Sequence, residues 1–131
     1  MSREIFFLRF LFWKALIGFL LYDMLLVGRD FARIHRLVLT WKVARRSPPA
    51  DAVDRICKAV NYASVWYPKR ILCLQRSAIT VCLLRSSGVP AEMVVGAQRI
   101  PFKAHAWTEV NGRAINERRD VQSRYAVWER C

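Results

Sequence analysis

The chain has 131 residues, a hydrophobic fraction of 54%, and 22 Lys plus Arg against 10 Asp plus Glu. This length fits one domain with one modest core, and the apolar content excludes a disordered chain. The net charge of +12 favours an acidic partner, which could be a nucleic acid, a membrane surface or an acidic peptide. The charge alone does not choose among these partners.

The N-terminal part of the chain predicts a long apolar helix over residues 4–28, and residues 5–28 read "IFFLRFLFWKALIGFLLYDMLLVG". Arg9, Lys14 and Asp23 interrupt this segment. A membrane span needs roughly 20 mainly apolar residues, and each central charge costs about 2.5–3.5 kcal/mol. We therefore expect a helix packed on the domain or on a partner. A helix lying on a membrane surface is the second alternative, and a true span is the least favoured.

Residues 29–46 continue as a helix with an apolar face and an arginine-rich face. The segment "SPPAD" at 47–51 breaks it, and Ser47 could cap a further helix over 52–67. The sequence thus divides into a helical N-terminal segment, 1–46, for packing or partner docking, and a domain, 47–131. Cys57 lies beside the apolar face of the helix at 52–67 and is interpreted as a core residue.

A fourth helix is predicted from about Cys73 to Arg85, and Gly88 is placed just past its end. The pattern then becomes strand-like at 91–100 and 104–110, and "NG" at 111–112 predicts a hairpin to 113–116. Residues 117–131 are polar and weakly patterned. Helices followed by an antiparallel sheet indicate an α+β fold.

The four cysteines are free thiols of a reducing compartment on the simplest interpretation, because no CxxC pair supports a zinc site or a disulfide scaffold. They stand at positions 57, 73, 82 and 131. Cys73 is the candidate nucleophile, since a helix N-terminus lowers a thiol pKa and offers N–H groups to an oxyanion. Cys82 lies within the same helix among apolar residues and lacks these conditions.

A thiolate nucleophile needs a histidine base and a third group that orients the histidine. His105 opens the strand before the hairpin, and Glu117 and Asp120 follow the hairpin, so either carboxylate could accept the Nδ1–H of the ring. His35 lies in the basic helix and is interpreted as structural. Glu109 shares a strand with His105 but is expected at the surface.

Residues 73–116, "CLQRSAITVCLLRSSGVPAEMVVGAQRIPFKAHAWTEVNGRAIN", resemble the transglutaminase-like cysteine peptidase family of lasso-peptide biosynthesis. These are leader peptidases related to the microcin J25 processing protein. The matching features are the CL-x-R-S start, the "LLR-x-x-G-x-P-A" helix end, and "PF-x-A-H-A-W-x-E". The resemblance implies a papain/transglutaminase-like core with a small antiparallel sheet, preceded by helices.

The resemblance places Cys73 on the nucleophile and His105 on the base of a Cys–His–Asp triad. The family's Asp should follow the His by roughly a dozen residues, where this chain has Glu117. This departure leaves Glu117 as the favoured third member and Asp120 as the alternative. Trp107 shares a strand face with His105, so it could shield the pair, line a substrate cleft, or serve only as core.

The function implied is a cytoplasmic cysteine peptidase that cleaves the leader from a lasso-peptide precursor. The core amine is then exposed for macrolactam formation by a separate cyclase. The implied partners are the precursor, a small leader-binding protein and the cyclase, with no nucleic acid and no metal or other cofactor. Membrane contact through residues 5–28 is not favoured. The alternatives are a non-catalytic peptide-binding module of the same fold, and a basic nucleic-acid or membrane-surface binder.

Overall fold

Four helices precede a four-stranded antiparallel sheet, which confirms the α+β prediction. The computed structural model describes residues 2–26, 31–68, 71–98, 103–117 and 121–131. In chain order the elements are α1 Ser2–Leu26, α2 Phe31–Thr40, α3 Ala52–Trp66, α4 Cys73–Ser86, β1 Ala91–Gln98, β2 Lys103–Val110, β3 Arg113–Ile115, α5 Val121–Arg124 and β4 Ala126–Arg130.

The sheet has the strand order β3-β2-β1-β4. The hairpin between β2 and β3 turns at Asn111 and Gly112, both with positive φ (53° and 77°), as a type I′ turn requires. The hairpin predicted from "NG" is therefore present. In the β1–β2 ladder, His105 lies opposite Gly96, and Trp107 lies opposite Val94. This register brings His105 to the part of the sheet where β1 also pairs with β4.

The strand β4 and the short helix α5 lie in the segment that the sequence pattern left without structure. β4 pairs with β1 in antiparallel fashion, and all five of its residues are exposed. An edge strand without a buried face shows no alternation of apolar and polar residues, which is the main signal for a strand. The strand is therefore visible only through its pairing with β1.

The helix predicted over 29–46 is wrong in its C-terminal part, because α2 ends at Thr40. The buried guanidinium of Arg85 donates hydrogen bonds to the carbonyls of Val38 and Trp41. The amide of Ala44 donates to the carbonyl of Arg85 at 2.7 Å. Since α4 satisfies the backbone at the end of α2, the chain leaves the helix there.

The boundaries of the next two helices follow local signals, with one correction. The residue that precedes α3 is Asp51, not Ser47, and α3 begins at Ala52. The end of α4 matches the prediction, and Gly88 has φ +94°. The amides of Gly88 and Val89 bond to the carbonyls of Arg85 and Leu84, which is a Schellman motif.

The main core joins α1 to the helices that follow it. Leu11, Ala15 and Phe19 of α1 are buried in one cluster with residues of α3 and α4 such as Ile56 and Val81. The segment before residue 47 thus packs on the domain, and its separation as a unit stays a prediction. Within the described residues, Ile5–Met24 of α1 is long and apolar enough to cross a membrane by length and composition.

Candidate active site

The nucleophile predicted from the sequence, Cys73, is the first residue of α4. Leu72 before it has an extended backbone and makes no side-chain cap, so N–H groups of the first turn remain available. A hydrogen bond with the His105 side chain is the largest cause that lowers the Cys73 pKa; burial opposes it, and the amides of Ala106 and Leu74 add to it. A thiol held in this way favours the thiolate.

The base predicted from the sequence, His105, reaches Cys73 from β2, which packs against α4. A hydrogen bond from the Thr108 hydroxyl to the Ser77 carbonyl (3.3 Å) links the two elements. Hydrogen bonds with Cys73 and then Glu117 raise the pKa of His105 to about 9, against the effect of burial. The pair therefore favours thiolate and imidazolium.

The favoured third member, Glu117, also lies in contact with the base. Its Oε1 is 2.8 Å from Nε2 of His105, and its side chain is only 10% exposed. The sequence argument expected the carboxylate at Nδ1, whereas the structure has it at Nε2, which leaves Nδ1 as the nitrogen that can face the thiol. Asp120, the alternative third member, lies outside the described residues.

Trp107 lies behind the imidazole as part of the second buried cluster. Its ring stacks near His105 with centroids 6.0 Å apart, and Tyr125 lies against both rings. Trp107 is 0% exposed and does not line the cavity beside Cys73. Of the three alternatives for this residue, shielding and core packing fit its position, and a substrate-lining role does not.

The expectation that Glu109 is a surface residue is wrong. It is buried, and its carboxylate accepts hydrogen bonds from Trp107 Nε1 (2.8 Å), Gln122 (3.0 Å) and Arg130 (2.7 Å). Two of these donors come from the segment after residue 117. The sequence spacing along β2 therefore could not reveal that Glu109 holds the Trp107 ring behind His105.

An apolar cavity of about 400 Å³ opens beside the thiol, which is within the size range of ligand sites. Trp128 and Glu129 of β4 form part of its wall, and the pattern of the sequence gave no signal for either. The lining residues are Cys73, Leu74, Val95, Ala104, His105, Ala106, Trp128 and Glu129.

The other cysteines and His35 do not line this cavity. Cys57 and Cys82 are free thiols, and burial raises their pKa values to about 11 and about 12. Cys131 is also free and buried. His35 of α2 lies 3.3 Å from the Glu129 carboxylate. Among the described residues, no group of three or more His, Cys, Asp or Glu could hold a metal ion.

Both the fold and the site residues lie within a match to a known protein family. The model of the transglutaminase-like superfamily matches residues 19–130, which is most of the chain and includes all three site residues. The chain is a member of the transglutaminase-like superfamily. No solved structure matches the chain.

The chain is also similar to a protein with a named role, the microcin J25-processing protein McjB of Escherichia coli. It is 33% identical to this chain over 55 residues, which cover 42% of this chain and 26% of the relative. The match thus spans about a quarter of the relative's length. The resemblance found in residues 73–116 is confirmed at the level of the family and of this relative.

Proposed function

We propose that this protein is a cysteine peptidase that cleaves the leader peptide from a lasso-peptide precursor. The observation that carries the proposal is the continuous contact from Cys73 through His105 to Glu117 at the wall of an apolar cavity. The similarity to a protein that processes microcin J25 supports a lasso-peptide precursor as the substrate.

In the proposed reaction, the Cys73 thiolate attacks the scissile carbonyl carbon. The amides at the thiol, those of Leu74 and Ala106, are suited to stabilise the oxyanion that forms. The C–N bond then breaks, and the His105 imidazolium gives its proton to the leaving amine of the core peptide. This step leaves the leader attached to Cys73 as a thioester.

Water completes the proposed cycle. His105 is neutral after the first step, so it can take a proton from water as the water attacks the thioester carbonyl. The leader leaves with a free carboxylate, and Cys73 returns to its starting state. Glu117 keeps its charge throughout and stabilises the imidazolium each time it forms. The released core amine is the group that a separate cyclase would join to a side-chain carboxyl.

The test is mass spectrometry of the precursor peptide after incubation with the purified protein and its leader-binding partner. Wild type should make one cut, and Cys73→Ala should make none. Cys57→Ala is the matched control, since it removes a thiol outside the cavity and should leave the cut intact. A cut by Cys73→Ala would show that Cys73 is not the nucleophile.

A non-catalytic peptide-binding module is the second candidate. Binding of the precursor without any cut by wild type would favour it. A nucleic-acid binder, the third candidate, predicts binding that falls steeply with salt, and it would not need the contact between Cys73 and His105.

We infer that the exposed face of α1 is a docking surface for the leader-binding partner or the cyclase. Large apolar side chains cover this face: Phe6, Phe10, Trp13, Ile17, Leu20 and Met24. Monomeric proteins rarely expose an apolar patch of this extent without a partner. A cytoplasmic location is part of the same proposal, with the membrane surface as the alternative occupant of this face.

A further inference from the structure

Arg76 lies one turn along α4 from Cys73 and contacts the third member of the triad. Its Nη2 is 3.3 Å from Glu117 Oε1, the same oxygen that lies 2.8 Å from His105 Nε2. The Arg76 side chain is 33% exposed, while that of Glu117 is 10% exposed. A guanidinium stays charged at every relevant pH, so one carboxylate oxygen lies between a permanent cation and the base.

A second contact fixes the backbone that carries Glu117. The preceding residue, Asn116, has a left-handed backbone with φ +57°, which is unfavourable for most residues other than glycine. Its side-chain amide exchanges two hydrogen bonds with Asn61 of α3, each 2.9 Å long. Because β3 ends at Ile115, the sheet ladder does not hold this turn, and the amide pair ties it to α3.

We propose that Arg76 and the Asn61–Asn116 pair are positioning residues that hold the Glu117 carboxylate against His105. The amide pair fixes the backbone of Glu117, and Arg76 fixes the direction of its carboxylate. This inference deepens the proposed function and rests on it for its catalytic meaning. It also explains why the motif "CLQRS" carries an arginine: positions 73 and 76 share a face of α4.

The positioning role and a purely electrostatic role of Arg76 predict opposite effects on His105. The charge of Arg76 by itself disfavours a second cation nearby, so its removal would raise the His105 pKa. If Arg76 instead holds the carboxylate in place, its removal lets Glu117 turn away, and the His105 pKa falls. The direction of the change therefore distinguishes the two roles.

Other groups near the pair stay unchanged in this comparison. Tyr125 contacts the His105 ring, and Glu129 lines the same cavity. From α1, Tyr22 interacts with both Asp23 and Cys73. Since none of these groups is altered by a substitution at position 76, a fall in the His105 pKa reports on Glu117, whereas loss of the Arg76 charge alone would raise that pKa.

The first experiment is an NMR titration of the histidine ring protons in wild type, Arg76→Ala and Arg76→Lys. The chain has only two histidines, so His35 serves as an internal reference, and His35→Gln assigns the signals. We expect His105 to titrate near pH 9 in wild type and at a lower pH in Arg76→Ala, where the hydrogen bond with Cys73, the larger cause of the raised pKa, remains. Arg76→Lys keeps a cation in reach of Glu117 and should recover part of the shift.

Arg55→Ala is the matched control, because Arg55 also bonds a carboxylate, Asp51 at 2.6 Å, and its guanidinium lies over the Phe7 ring of α1. It should leave the His105 titration as in wild type. Asn61→Ala should move the His105 titration in the same direction as Arg76→Ala. An unchanged or raised His105 pKa in Arg76→Ala would overturn the inference, and so would an equal fall in Arg55→Ala.

Cleavage of the precursor is the second readout. Arg76→Ala should lower kcat/KM by about 10- to 100-fold, with kcat affected more than KM, because the carboxylate acts on the base and not on substrate binding. The titration needs no substrate, so the two proposals fail separately. A wild type that makes no cut refutes the peptidase, whereas a cutting wild type with an Arg76-independent titration refutes only the positioning role.

Discussion

At the scale of single residues, the contacts of Glu117 support the proposal that a glutamate serves as the third member of the triad, where the resemblance implies an aspartate. The carboxylate of Glu117 contacts Nε2 of His105, while the thiol is left with the other ring nitrogen. The longer side chain is accommodated because the turn at Asn116 and the guanidinium of Arg76 limit where its oxygens lie. The proposed role thus depends on where the carboxylate oxygen of Glu117 lies.

The charge of Glu117 should matter more than its shape. Glu117→Gln keeps the length of the side chain but removes the charge that favours the imidazolium, so the His105 pKa should fall and kcat/KM should drop by about 100-fold or more. Steady-state cleavage assays and the histidine titration check this. Full activity in Glu117→Gln would show that another group orients His105. Asp120→Ala would then be the next variant to test.

The pH dependence of cleavage follows from the two shifted groups. The Cys73 pKa lies below its usual value of 9.0, and that of His105 is raised to about 9. The active pair of thiolate and imidazolium therefore forms as pH rises through the thiol pKa and is lost as pH rises through about 9. A profile of kcat/KM against pH should show its alkaline limb near pH 9, and an alkaline limb near 6.5, the ordinary pKa of His, would contradict the ion pair.

At the scale of elements, the sheet supports the base through a close contact between strands. A Cβ added at Gly96 of β1 would lie 2.8 Å from the Trp107 ring and 3.0 Å from the Ala126 carbonyl. Trp107 packs behind His105. The absence of a side chain at position 96 therefore allows β4 and Trp107 to approach β1 together.

Gly96→Ala should lower the free energy of unfolding by about 1–3 kcal/mol, as overpacking of a buried site does, and should also reduce cleavage. Urea denaturation measures the first effect. Gly18→Ala is the control, because its nearest contacts are side-chain atoms of Ile79 at 3.2 Å, and alanine is favoured over glycine within a helix. Equal losses in both variants would show that the contact at Gly96 has no special role.

The buried carboxylate of Glu109 joins β2 to α5 and β4. Burial alone would raise its pKa, but hydrogen bonds from Arg130, Trp107 and Gln122 hold it below 4.5. The stabilisation is present above that value, and it is lost as pH falls through the lowered folded-state pKa. Glu109→Ala should cost about 1–3 kcal/mol by leaving buried donors unpaired, and the part of this loss that comes from the ionised carboxylate should disappear in acid. A loss independent of pH would contradict this account.

At the scale of the whole molecule, α1 has two different faces. One face lies in the core with α3 and α4, and the other is apolar and exposed. Deletion of residues 1–28 would therefore remove core residues together with the docking surface. Single substitutions on the two faces separate these effects.

Trp13 is 59% exposed and Phe19 is 0% exposed on the same helix. Trp13→Glu should leave the urea midpoint and the alkylation rate of Cys73 unchanged, but it should reduce processing in the presence of the partner. Phe19→Ala should instead cost about 3–5 kcal/mol of unfolding free energy. Normal partner-dependent processing by Trp13→Glu would contradict the proposal that the exposed face of α1 is a docking surface.

The sequence by itself determined four features: the helix that begins at Cys73, the glycine at 88 just past its end, the hairpin at 111–112, and the pair Cys73 and His105. These depend on residues close together in the chain or on a specific motif. The tertiary structure alone decided where α2 ends, that β4 exists, that Glu109 is buried, and that Arg76, Asn61 and Asn116 converge on Glu117. Each of these depends on partners far away along the chain, because buried polar groups are satisfied by whatever the fold brings near them.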